Sequence, residues 1–178
     1  ERHFETWEES GWRMGQDLYG DETLPEGAPH ACGENGKRVP GRFDASLEEV
    51  LHLVSHGWEQ GFSDTFGFER GSKLCDAMDL ARGGRFDRTP RRYPKDAWYT
   101  YDDRTCDYEC QAAEYFYWAL TTLLGGQNFP GRAEDIGREW RPTTAEALLE
   151  TDPAVYELLS NPEFALPRVL PDGHYRDG

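Results

Sequence analysis

The sequence has little aliphatic material and no long apolar run. Hydrophobic residues make up 37% of its 178 positions. The most apolar stretch, Ala112 to Leu120, reads AAEYFYWAL and carries Glu114 in its middle. A membrane span needs roughly 20 apolar residues, so membrane insertion is not expected. Positive charge is also scarce: 19 Lys and Arg stand against 34 Asp and Glu, a net charge of −15. That balance excludes nucleic acid or an anionic membrane as a partner held through a general basic face. No repeat and no low-complexity tract is found.

Cysteine is sparse too. The four are Cys32, Cys75, Cys106 and Cys110, with no Cys-x-x-Cys and no zinc-finger spacing. An even count in an acidic, Trp-containing chain favours disulfides in an oxidising compartment. The favoured pairing is Cys32 with Cys75 and Cys106 with Cys110. The second closes a short loop, so at least Cys106 should lie outside regular helix. A Cys/His metal site is the competing reading. A start at Glu1 without a leader fits a processed product, and the expected location is extracellular.

What the chain does have is aromatic mass and turn residues. Nine Tyr, nine Phe and six Trp can fill a core that aliphatics do not. Nineteen Gly and eleven Pro interrupt the chain often. Residues 1–45 show no sustained period and read as an irregular arm, with a short helix or strand near Phe4–Leu18 and Cys32 as a tether. Residues 46–178 read as one helical domain, so the fold class is mainly α, with α+β as the alternative.

The clearest helix starts at Ser46, with Glu49 three residues on as a capping box. Leu47, Val50, Leu51, Val54 and Trp58 fall on one face, expected to be buried. Glu48, Glu49, His52, Ser55, His56 and Glu59 fall on the other, and Gly57 and Gly61 end it. A second helix is predicted over Ser72–Arg82 and a central one, apolar nearly all round, over Asp107–Leu124. Shorter helices follow over Arg132–Glu139, Thr144–Glu150 and Pro153–Leu159. Thr151-Asp152-Pro153 is a start signal for the last.

His52 and His56 stand four apart on the first helix, so one nitrogen of each can aim at a single ion. Neutral imidazoles are good zinc ligands, but two are not enough. The bland alternative is a solvated helix face. Glu114 is the candidate third ligand. It sits in a helix with almost no other charge after the first turn, where a buried carboxylate calls for a cation. An arginine such as Arg104 or Arg132 would serve as well as a metal.

His52-Leu53-Val54-Ser55-His56 resembles the His-Glu-x-x-His helix of the zincin metalloproteases. Glu114-Tyr115-Phe116-Tyr117-Trp118 resembles the glutamate helix of the branch containing the anthrax lethal factor catalytic domain. Gly61–Phe66 and Asp152–Leu159 are similar to two further segments of that branch, so the resemblance covers roughly residues 46–160. It implies a zincin-like fold with a central helix pair, and zinc bound by His52, His56 and Glu114. It does not bring the catalytic base, because Leu53 stands at that position. Glu49 is a weak substitute, and Tyr101 and Tyr108 are weak candidates for oxyanion stabilisation. Tyr101-Asp102-Asp103, Cys106-Asp107-Tyr108 and Glu114–Trp118 together also resemble a secreted family that brings no activity with it.

Asp102, Asp103 and Asp107 lead into the central helix and could offer the oxygens that calcium prefers. Their alternative role is to place negative charge at a helix N-terminus. The expected function is a secreted, zincin-like, divalent-metal-binding protein, a degenerate metallopeptidase with weak or no proteolysis. The alternative is an extracellular structural, self-assembling or interaction protein. The expected partner is an unidentified protein or peptide, self-association included.

Overall fold

The computed structural model describes residues 15–18 and 45–170. Two compact units divide the chain, residues 1–54 and 55–178. Among the described residues there are seven α-helices and only isolated β-bridges, so the protein is mainly helical. The expected element near Phe4–Leu18 lies largely outside the described residues.

Helix α1, Ser46–Gly61, runs through Gly57 and ends at Gly61. Its buried face is the expected one only in part, since Leu51 is covered but its neighbours Val50 and Val54 are not. Val50 and Val54 are 53% and 43% exposed, whereas His52 and Ser55 are 8% and 1% exposed. Helical period locates a stripe, but which stripe is covered depends on what packs there.

In the second unit the helices start and stop on local chemistry. Helix α2, Ser63–Phe66, is a single turn for which no helix was expected from the sequence. Helix α3, Lys73–Ala81, is capped by the Ser72 side chain, which accepts from the Cys75 amide. It stops at Gly83, whose φ of +70° suits glycine. A Cβ there would also lie 2.8 Å from Pro94. Helix α4, Tyr108–Leu123, is capped by Asp107, which accepts from the Cys110 amide. Helix α5 is Arg132–Ile136. Helix α6, Ala145–Thr151, is capped by Thr144. Helix α7, Pro153–Ser160, has Asp152 as its cap and proline at its first position, and a 3₁₀ turn follows at Pro162–Phe164.

Helix α4 is the centre of this unit and packs against α3, α6 and α7. Its apolar sequence is the reason: Tyr115, Phe116, Tyr117, Ala119 and Leu120 are all buried. Aromatic side chains make the core. Tyr99, Tyr115 and Trp140 meet one another with ring centroids 5.4–6.2 Å apart. On the other side Phe66 stands edge-on to both Phe116 and Phe164. Tyrosine and tryptophan need their polar tips satisfied. Tyr115 Oη donates to Asp152 at 2.5 Å, Trp98 Nε1 donates to the same carboxylate at 2.9 Å, and Trp140 Nε1 donates to Thr122 at 2.9 Å.

The Cys106–Cys110 disulfide is formed, with Cys106 outside the helix as its short loop requires. The expected pairing of Cys75 is corrected: Cys75 is a buried free thiol on α3. Its Sγ donates to the Gly67 carbonyl at 3.4 Å, and burial pushes its pKa up. Cys32 lies outside the described residues.

Candidate metal centre

Helix α1 carries Glu48, Glu49, His52 and His56, one turn or less apart. Glu49 accepts from Gln16 Nε2, and the same oxygen lies 3.6 Å from His52 Nδ1. The expected capping residue is therefore engaged with side chains. His56 turns to its own helix, with Nδ1 2.5 Å from Glu59. Its ring lies against Phe68, centroids 5.8 Å apart.

Helix α4 carries Glu114, which is 8% exposed. Tyr101 donates its hydroxyl to Glu114 Oε1 at 3.2 Å. That bond orients the carboxylate from the loop before α4. Tyr108, the other tyrosine candidate, goes elsewhere. It donates to Asp79 at 3.2 Å, and Arg70 and Arg82 lie over its ring at 4.5 and 5.1 Å. Burial, with Cys75 and Asp79 beside it, raises the Tyr108 pKa well above its usual value.

Glu48 and His52 stand four residues apart on one side of α1, so each can offer a ligand atom to the same ion, and Glu114 is a buried carboxylate on α4 of the second unit. His52 and Glu114, two of the three expected ligands, are each 8% exposed. His56, the third, has Glu59 and Phe68 beside its ring. Glu48 is a further candidate ligand on the same helix. The sequence held the signal, because Glu48 also stands four residues from His52 and faces the same side. Attention to histidine spacing passed over it. One imidazole and two carboxylates suit zinc and other first-row divalent ions.

The aspartates of the preceding loop do not form such a group among the described residues. Asp103 accepts from the amide and hydroxyl of Thr105, which hold its pKa below the usual value. Asp107 is the α4 cap. Asp102 is exposed. Both engaged aspartates thus serve the turn and the helix start, the alternative to calcium.

No protein family, no curated protein and no solved structure matches the chain.

Proposed function

We propose that this chain is a divalent-metal-binding protein, zincin-like in derivation, with weak or no proteolytic activity. The observation that carries the reading is the pair Glu48 and His52, four residues apart on α1, with Glu49 3.6 Å from His52 Nδ1; Glu114, buried on α4 and held by Tyr101, is the further ligand proposed. Zinc is the ion the donor set favours, because an imidazole nitrogen with carboxylate oxygens is a common zinc environment. Neighbouring groups support it. A carboxylate near the non-ligating nitrogen of a metal-bound histidine fixes its tautomer and orientation. Glu49 beside His52 Nδ1 suits that role, with Nε2 as the ligating nitrogen. Tyr101 does the same for Glu114.

The residues around the group do not supply peptide hydrolysis. A zinc peptidase needs a carboxylate that takes a proton from water and passes it to the leaving amine. Leu53 can do neither. Glu49 is engaged with Gln16 and His52. Loss of general acid–base assistance lowers a rate by about 10²–10⁴-fold. A secreted location belongs to the same proposal, and the Cys106–Cys110 disulfide supports it.

The test is metal analysis by mass spectrometry with zinc titration calorimetry. It uses the native protein and the Glu48→Gln, His52→Ala, Glu114→Gln and His56→Ala variants. One ion per chain is expected in the native protein and in His56→Ala, and loss in the other three. Metal bound equally by all five, or by none, would overturn the reading. Loss in His56→Ala alone would return the site to the two-histidine arrangement.

A further inference from the structure

The loop between α3 and α4 carries the one dense run of positive charge in this acidic chain. Residues 88–95 read Arg88-Thr89-Pro90-Arg91-Arg92-Tyr93-Pro94-Lys95, four cations and no acid. All four cations are exposed. None of them makes an ion pair among the described residues, whereas Arg70, Arg82 and Arg85 do. With 34 carboxylates in the chain, a shortage of acids does not explain that.

The loop is also built to stay in place. Tyr93 meets Phe86 edge-on at 5.6 Å, and its hydroxyl donates to Gln111 Oε1 at 3.3 Å. Pro94 sits on Gly83, where any Cβ would collide with it. Thr89 Oγ1 donates to the Asp103 carbonyl at 2.7 Å, and Arg141 donates to the Lys95 carbonyl at 2.8 Å. The backbone is fixed at both ends and in the middle, while Arg91 and Arg92 are exposed and make no side-chain hydrogen bond or ion pair among the described residues. Holding like charges together in water serves no folding purpose. It lowers the ordering cost of binding an anion.

We propose that the 88–95 loop is a docking surface for a short acidic peptide segment of a partner protein. The partner's size follows from charge. Without the loop's four cations the rest of the chain carries −19 against the −15 total. At physiological salt a charge is felt over about 8 Å. A short acidic segment can lie on the loop within that distance and avoid the acidic remainder. A nucleic acid, a sulfated polysaccharide or an anionic membrane extends beyond it and is repelled. The adjoining Tyr93 and the two prolines offer apolar surface that peptide side chains can use. The proposal is independent of the metal site.

The experiment is fluorescence anisotropy of a labelled peptide rich in Glu and Asp, titrated with the full chain at low and physiological salt. Labelled heparin and a single-stranded oligonucleotide are run beside it. The peptide is expected to bind saturably, and more weakly as salt rises. Arg91→Glu/Arg92→Glu should weaken it by at least about tenfold, whereas Lys73→Glu/Arg138→Glu, exposed charges elsewhere, should change it less than about twofold. Circular dichroism should be the same for all chains, since the mutated side chains are exposed. Addition of a chelator should leave binding unchanged. Preferential binding of heparin or the oligonucleotide would overturn the proposal. So would peptide binding that ignores the loop charges, or no binding of the peptide.

Discussion

Two clusters of buried ionisable groups lie on the helices of this protein, and they are composed differently. Around Asp79 the carboxylate is matched by guanidinium. Fully buried Arg82 lies 2.5 Å away, and Arg85 and Arg70 lie at 3.5 and 3.9 Å. Arg82 Nη1 donates to Gln111 Oε1 and to the Phe86 carbonyl. The second, on α1, sets Glu48 and Glu49 beside one imidazole, His52. Charge matched by an arginine's fixed fork makes a structural element. Oxygen and nitrogen donors converging on one point make a ligand set. A perturbed or buried acid is therefore informative about function only through what faces it.

The contrast predicts opposite responses to substitution. Asp79→Ala should be the most damaging change, because it strands a fully buried guanidinium. A loss of about 3–5 kcal/mol is expected in urea unfolding, the same with and without metal. A loss under 1 kcal/mol would mean that the Asp79 cluster is not structural.

Asp152→Ala comes next. It removes the acceptor for Tyr115, Trp98 and the Val155 amide at the start of α7. About 3 kcal/mol is expected. This site also carries a pH signature. Burial, partly offset by the Tyr115, Trp98 and Val155 hydrogen bonds, holds the Asp152 carboxyl above its ordinary range. The folded chain thus binds that proton more tightly than the unfolded one. Its contribution to stability is full below about pH 3.9 and is lost as pH rises through the raised value. Urea midpoints across this window should show a component that falls with rising pH in the native chain and is missing in Asp152→Ala.

Removing the Cys106–Cys110 bridge by a double change to serine should cost about 2 kcal/mol, since a loop this short restricts the unfolded chain only modestly. Thermal melting with and without reductant measures it. The smallest effect is expected at the second cluster. Tyr101→Phe removes one hydrogen bond to Glu114, so zinc affinity should drop about tenfold while stability in chelator barely moves. Calorimetry that finds the affinity unchanged would remove Tyr101 from the site.

Much of the second unit was legible in the sequence because its signals are local. Ser72, Asp107, Thr144 and Asp152 precede apolar runs and cap them, Gly83 ends a helix, and Pro153 opens one. Helix α4 is apolar nearly all round, which required a central place. The site was half legible. Buried Glu114 drew attention by standing alone in an apolar helix, and His52 by its spacing. Glu48 was missed, and the Glu59 and Phe68 contacts of His56 could not be read from spacing.

The sequence by itself determined the helices, the short disulfide and the presence of a carboxylate in the central helix. These depend on capping, period and chain closure, which act over a few residues. Only the tertiary structure decided that Val50 and Val54 face solvent while His52 and Ser55 are covered. It alone left Cys75 a free thiol and sent Tyr101 rather than Tyr108 to Glu114. Each of those depends on which surface packs over a residue, and the sequence around that residue carries no record of it.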